Sequence, residues 1–223
     1  MKRTAQSRQQ AGFSTLEMLI VVAMSVILTA IAVPSFNSIS RSLRVSGDLR
    51  SLNGLIAQAK MRAASDFTHA RVYADLSGNA YQLQVWFKAG NGGLGCWVAD
   101  ADPNRTSPTC LTYSTGHPSG TLFTLSQGNT FGFGSLTTGP TPGQTTIGQA
   151  TSCLNDTNGS VGGSTACIVF NSRGTPINSS GAPLATGAFY VTNGTVVDGV
   201  TVSATGSIQA WSSPTNSANW YGQ

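Results

Sequence analysis

One carboxylate in this sequence stands where a charge is costly. Glu17 is the only glutamate of the 223-residue chain, and it lies near the start of an almost entirely apolar run, residues 13–33. A charged side chain at membrane depth costs on the order of a few kcal/mol, and a partner or a function must offset that cost. Two roles fit. The carboxylate can pair with a cation, or it can cap a helix, because Ser14-Thr15-Leu16-Glu17 has the S-x-x-E spacing of a capping box.

The cysteines are the second group with chemical potential. They are Cys96, Cys110, Cys153 and Cys167, which form two pairs with 13 residues between the members of each. An even number of cysteines behind an export-type N-terminus favours disulfides. Three connectivities are possible. We favour Cys96–Cys110 and Cys153–Cys167, because each bond would close one loop rich in Gly, Asn and Thr, and a loop of about 15 residues is worth roughly 3 kcal/mol.

Other short motifs lack the residues that their chemistry requires. The glycines of residues 90–95 match G-x-G-x-x-G, but a cysteine and a proline-containing loop follow them instead of a helix. Residues 100–104 resemble the first ligands of a calcium loop, but Arg105 replaces the glycine and Leu111 the bidentate glutamate. No Cys-x-x-Cys, nucleophile elbow, H-E-x-x-H or P-loop occurs. We therefore expect neither an enzyme nor a cofactor or metal site.

The charge distribution argues against a nucleic-acid partner. Lys2, Arg3 and Arg8 account for three of the twelve basic residues, which leaves nine against eight acidic residues in the rest of the chain. Residues 174–223 contain no Lys or Arg. Binding to phosphates needs clustered cations. The cations that could still converge in space to bind DNA are Arg71, Lys88, Arg105 and Arg173.

The N-terminal segment must position Glu17. A short basic leader, residues 1–12, precedes an apolar run of 21 residues, which as a helix is long enough to span a hydrocarbon core. Basic residues before the run keep the leader in the cytoplasm and send the remainder outward. A secretory signal would place a small-residue cleavage site after the run. Here an apparent helix continues instead, and Pro34 is expected to kink it.

These residues carry a resemblance. The sequence GFSTLE at residues 12–17, between a basic leader and an apolar helix, resembles the type III signal of type IV pilins and pseudopilins. The resemblance implies that a prepilin peptidase cleaves between Gly12 and Phe13 and that Phe13 becomes N-methylated. It implies that Glu17 supports assembly, and the carboxylate could pair with the N-terminal amine of a neighbouring subunit. The implied partners are other pilin subunits and an inner-membrane assembly platform.

The helix beyond Pro34 has two apolar stripes on nearly opposite sides. Spacings of four and three residues place the later stripe on one face, which we expect to lie against the chain's own β-domain. This stripe contains Val45, Leu49, Leu52, Ile56, Ala59 and Ala63. The earlier stripe is expected to face neighbouring subunits. It contains Phe36, Ile39 and Leu43.

After Asp66 the pattern becomes that of strands. Residues 70–76 and 80–88 flank Ser77-Gly78-Asn79 and predict a β-hairpin. Further strands are predicted near residues 121–126, 166–174, 188–193 and 199–211, and loops at 89–95, 101–109, 137–144 and 155–165. The segments LNGLIAQAKMRAAS, FNSRGTP and VTVSATGSIQ are similar to those of the GspH/FimT-like minor pseudopilins. The middle of the chain, residues 90–165, departs from that pattern.

The sequence predicts an α+β fold with a long N-terminal helix on an antiparallel sheet. The expected divisions are a leader at 1–12, a transmembrane or filament-core helix at 13–33, a stem at 34–66 and a globular domain at 67–223. The chain would be a minor pilin or pseudopilin, held in the bacterial inner membrane by one span with its C-terminal domain in the periplasm before it joins a filament. The alternatives are a filament-tip module that binds DNA or acts as an adhesin, and an anchored domain that never polymerises.

Overall fold

A computed structural model describes residues 14–100, 108–112, 122–155, 161 and 164–223. Within these ranges the fold is α+β, with one long helix and antiparallel strands in two sheets, so the predicted class is confirmed. One sheet was expected, and the described residues form two. Contacts divide the chain into two compact units, Met1–Ser40 and Arg41–Gln223, which are described separately.

Helix α1 extends over Thr15–Ser65, 51 residues, and its helical assignment continues through Pro34. The kink expected at Pro34 stays a prediction. The division between the two units falls at Ser40. The later part of the helix belongs to the second unit because its buried side chains, which begin at Val45, are part of that unit's core.

Among its described residues the second unit contains eleven strands, five of which have four residues or fewer. In chain order they are β1 (Ala70–Asp75), β2 (Ala80–Phe87), β3 (Cys96–Ala99), β4 (Phe123–Thr124), β5 (Thr130–Phe131), β6 (Thr165–Phe170), β7 (Pro176–Ile177), β8 (Thr186–Thr192), β9 (Val196–Ser203), β10 (Ile208–Pro214) and β11 (Tyr221–Gly222). The first sheet has the order β3-β2-β1-β6-β7, with β4 paired to the far end of β2. The second has the order β11-β10-β9-β8-β5.

The predicted hairpin is the centre of the first sheet. Strands β1 and β2 pair antiparallel with Tyr73 opposite Gln82, and β6 adds on the other side with Cys167 opposite Tyr73. The turn is held by Asp75, whose Oδ1 accepts hydrogen bonds from the backbone nitrogens of Ser77 at 3.0 Å and Gly78 at 2.9 Å. This is the local side-chain bonding by which Asp favours turns.

The main core lies between the helix and both sheets. All six members of the later helical stripe are buried there, as their spacing predicted. Side chains at alternate positions of the strands form the other side of this core. From the first sheet come Val72, Leu83 and Ile168, and from the second come Phe189, Val200 and Val202.

A second, smaller core covers the outer face of the five-stranded sheet. Residues of β8 and β9 whose side chains alternate away from the helix, such as Tyr190 and Val197, pack there against Leu136 and Ile147. Leu136 and Ile147 belong to the segment between β5 and β6, whose sequence predicted loops. The segment has little regular structure, but it closes an apolar cluster and is therefore part of the folded unit.

Candidate membrane and assembly segment

The N-terminal half of α1 has the length and composition of a membrane-spanning helix. An 18-residue window, Thr15–Ala32, has a mean hydropathy of 2.3, and none of it is buried within the protein. Its large apolar side chains are exposed, for example Leu16 at 68% and Ile31 at 66%. Exposed apolar surface on this scale needs an apolar environment. The segment fits a single-pass membrane anchor.

Glu17 forms the capping box that its spacing predicted. The backbone nitrogen of Ser14 donates to Oε2 of Glu17 at 3.2 Å, and the backbone nitrogen of Leu16 donates to Oγ of Ser14 at 3.3 Å. Each bond satisfies a donor that a helix start would otherwise leave without a partner. The carboxylate also lies at the positive end of the helix dipole. Helix geometry therefore accounts for an acid at this position in the single chain.

Two hydroxyl groups farther along the apolar segment are bonded to the helix itself. Oγ of Ser25 donates to the carbonyl of Val22 at 2.8 Å, and Oγ1 of Thr29 donates to the carbonyl of Val26 at 2.9 Å. A hydroxyl without a partner is costly in hydrocarbon. These local bonds keep Ser25 and Thr29 compatible with an apolar environment.

Five further residues near the N-terminus were predicted to act in processing or in contacts between subunits. Gly12 and Phe13, the proposed cleavage and methylation residues, lie outside the described residues. Phe36 is 72% exposed, and Ile39 is 59% exposed. Leu43, in the second unit, is 67% exposed. Each therefore leaves a large apolar side chain without cover in the isolated chain.

No protein-family model, curated protein or solved structure matches this chain.

The structure contains both disulfides in the pairing favoured from the sequence. Cys96 is bonded to Cys110 and Cys153 to Cys167, with Cα–Cα distances of 5.6 Å and 5.0 Å. Cys153 and Cys167 are buried and pack with Tyr73 on the outer face of the first sheet. By chain-entropy arguments, each closed loop of about 15 residues is worth roughly 3 kcal/mol. The bonds tie the long segments between strands to the sheet.

Two glycines of the motif at residues 90–95 pack closely, one against the first disulfide and the other against Trp86. A Cβ atom on Gly90 would collide with Sγ of Cys96, and one on Gly95 would come within 2.6 Å of the Trp86 ring. Gly95 also has a φ of +84°, which favours glycine. Close packing therefore explains these two glycines without a phosphate ligand.

Arg71, one of the four cations considered for DNA, is not on the surface. It is 1% exposed, and its guanidinium lies 3.9 Å from the centre of the Trp97 ring. Nε donates to Oε1 of Gln84 at 2.7 Å. Lys88 and Arg173 are exposed, and Arg105 lies outside the described residues. A buried and stacked guanidinium cannot contact a DNA backbone without rearrangement.

The acidic residues near the calcium-like motif are engaged or undescribed. Oδ1 of Asp100 pairs with Nε of Arg62 at 2.8 Å, whereas Asp102 and Asn104 fall outside the described ranges. Among residues that the structure describes, no group of three or more His, Cys, Asp and Glu side chains could hold a metal ion.

Sequence reasoning missed a buried carboxylate on the second sheet. Asp198 is 1% exposed and accepts hydrogen bonds from Oγ of Ser212 at 2.6 Å and Oγ of Ser46 at 3.1 Å. Desolvation raises the pKa of Asp198 above its usual value, and the two serine hydroxyls partly oppose that shift. An aspartate in a valine-rich strand was the available signal. Asp198 links the helix to the sheet.

Proposed function

We propose that the chain is a minor pilin or pseudopilin, a structural subunit of a type IV pilus or a type II secretion pseudopilus. In this proposal the apolar segment anchors the subunit in the bacterial inner membrane, with the β-domain in the periplasm. The same segment later enters the filament core. Prepilin peptidase, other subunits and an assembly platform are the partners.

The observation that carries the proposal is the combination within one helix. An uncovered apolar segment bears Glu17 in its first turn, and the other end of the same helix buries the Val45–Ala63 stripe in a disulfide-bonded domain. A plain anchor needs the apolar length alone. A subunit that assembles through the segment also uses the charge of Glu17 to favour one axial register between subunits. In any other register the buried carboxylate would lack a partner, which costs roughly 3–5 kcal/mol.

The capping geometry is compatible with this role. The cap engages Oε2 of Glu17, and a carboxylate has acceptor sites on both of its oxygens. In a filament the same group can therefore cap its own helix and accept a bond from the amine of a neighbouring Phe13. Capping needs only an acceptor, whereas pairing needs the negative charge.

Glu17→Gln separates the two roles, because a glutamine retains the capping acceptor and removes the charge. In the native host we expect Glu17→Gln and Glu17→Ala to abolish filament incorporation alike, with leader cleavage unchanged in both. Incorporation is measured from sheared or membrane-detached filaments by immunoblot. Normal assembly of Glu17→Gln with failure of Glu17→Ala would make Glu17 a helix cap. Unchanged function of both would leave a simple anchored domain.

Intact mass of the membrane-extracted protein checks the processing step directly. We expect loss of residues 1–12, one added methyl group on Phe13 and a deficit of four hydrogens for the two disulfides. A retained leader, or a cut after residue 33, would exclude prepilin processing and with it the filament role.

A further inference from the structure

The turn that ends α1 holds a bulky residue in a conformation that usually requires glycine. Phe67 has a φ of +49°. The backbone nitrogen of Thr68 donates to the carbonyl of Ala63 at 3.1 Å, which makes Phe67 the left-handed C′ residue of a Schellman motif. Among the described residues, the other non-glycine residues with positive φ are Asn79 and Asn91, and asparagine tolerates this region. For a phenylalanine the same backbone is strained.

The ring of Phe67 is little covered by its own chain. It is 74% exposed, so most of its apolar surface is in contact with water. The turn does not need the ring, because a glycine would supply the same backbone without strain. Strained residues that persist in a fold cluster at functional sites. A strained and exposed aromatic side chain is therefore a candidate contact for another molecule.

A concavity of about 460 Å³ opens beside this turn, and we call it the cap pocket. Val85 and Val98, which pair across β2 and β3, contribute apolar surface to its lining. Asp66 and Thr68 also line it, whereas Phe67, between them in the chain, does not. The ring of Phe67 therefore projects outside the pocket. One surface of the chain thus presents both an apolar projection and an apolar hollow.

The charges around the cap pocket are of both signs. Lys88 lines the pocket and is exposed, and its Nζ donates to the carbonyl of Phe67 at 2.7 Å. Lys88 has no carboxylate partner among the residues that the structure describes. The side chain of Asp66 is 42% exposed, and its Oδ2 lies 4.0 Å from Nη1 of Arg62, so the carboxylate can accept further bonds. A surface with an accessible cation and an accessible carboxylate is complementary to a copy of itself.

We propose that two copies of this chain associate through their cap pockets. About a two-fold axis, Phe67 of each copy enters the pocket of the other, and Lys88 of each copy pairs with Asp66 of the other. Such an isologous contact uses the same residues twice. The pocket volume lies in the range that holds a drug-sized ligand and therefore exceeds what one phenyl ring needs. This association does not depend on filament assembly.

Sedimentation velocity of the full chain in density-matched detergent micelles tests the association. The contact is small, so we expect a weak dimer with a Kd on the order of 10–100 µM. Phe67→Ala and Phe67→Gly should each weaken the dimer by about 10- to 30-fold, the scale of an aromatic hot spot. Only Phe67→Gly should also raise the thermal unfolding midpoint of the monomer, by about 2–4 °C, because it relieves the backbone strain.

Charge reversal tests the pairing across the two-fold axis. Lys88→Glu and Asp66→Lys should each weaken the dimer by about 10-fold or more, because each places like charges opposite each other twice. The variant with both substitutions should associate within about 3-fold of the wild type. Tyr221→Ala is the matched control, since Tyr221 is another exposed aromatic residue, at 62%, but belongs to the second sheet. It should leave the association unchanged.

A photo-reactive p-benzoylphenylalanine at position 67 identifies what the ring contacts in the native host. We expect a crosslinked dimer of this chain, with the new bond mapped by mass spectrometry to residues 85–98 of the second copy. The inference is overturned if the label captures only a different protein or nothing, or if the purified chain shows no dimer at about 300 µM, well above the expected Kd. It is also overturned if the dimer is unweakened by both Phe67 substitutions, or if the double charge reversal fails to restore it.

Discussion

Oδ2 of Asp48 lies 2.6 Å from Nδ2 of Asn129, although 81 positions separate the two residues in the chain. The same carboxylate accepts hydrogen bonds from the backbone nitrogen of Ser126 at 2.9 Å and from its Oγ at 2.8 Å. One helical side chain thereby holds residues 126–129, the connection between β4 of the first sheet and β5 of the second. Asp48 is 7% exposed, so the donors that it binds have little access to water.

Asp48→Ala should therefore lower the free energy of unfolding by about 2–4 kcal/mol, because it removes the acceptor of one buried and two part-buried donors. Thermal and chemical unfolding of the full chain in micelles measure this difference. Ser42→Ala is the control on the same helix, since Ser42 is exposed and should change stability by less than about 0.5 kcal/mol. Equal effects of the two substitutions would refute the anchoring role of Asp48.

The two apolar stripes of α1 give a second prediction. Leu52 is fully buried, whereas Leu43 is 67% exposed. Leu52→Ala should cost about 2–5 kcal/mol of folding free energy through lost burial and cavity formation. Leu43→Ala should leave stability within about 0.5 kcal/mol of wild type and, under the filament proposal, reduce incorporation. If Leu52→Ala unfolded with the same free energy as the wild type, the packing of Leu52 in the core would be contradicted. If Leu43→Ala entered filaments as fully as the wild type, Leu43 would be excluded from the subunit interface.

Asp198 predicts a particular pH dependence. Its pKa is raised in the folded protein above its ordinary value of 3.8, so between those two values the folded state holds more protons than the unfolded state. The contribution of this group to stability therefore falls as pH rises through that window. Each unit by which folding raises the pKa amounts to about 1.4 kcal/mol.

Asp198→Asn removes this titration while it preserves the shape of the side chain. The free energy of unfolding of the variant minus that of wild type should therefore increase as pH rises from about 4 towards neutrality and then become constant. Urea unfolding at a series of pH values gives the difference, in which the other acidic groups cancel. A difference independent of pH would show that Asp198 is not desolvated in the folded protein.

The parts of the fold that the sequence predicted are those with local periodicity. The Val45–Ala63 stripe repeats at helical spacing, and residues 70–88 alternate around a short turn, so neighbouring positions alone fix their structure. The disulfide pairing was favoured because each bond closes one loop rich in Gly, Asn and Thr. The capping box was visible because its members are three residues apart.

The missed features depend on contacts across long separations. Strand β3 has only four residues beside a glycine-rich turn, and it forms because β2 offers a free edge, which no local pattern reveals. Leu136 and Ile147 show no periodicity, yet they cover the second sheet. Tyr190 and Trp220 meet from segments thirty positions apart, so neither segment alone predicts their contact.

The inward bonding of Ser25 and Thr29 has a wider consequence. Because both hydroxyls are satisfied by their own helix, the segment around them offers the same surface chemistry to lipid tails and to packed protein side chains. Transfer between two such media breaks neither of these hydrogen bonds and dehydrates neither hydroxyl. Ser25 and Thr29 therefore do not favour lipid over packed protein as the environment of the helix. Any such preference comes from the groups at the ends of the segment.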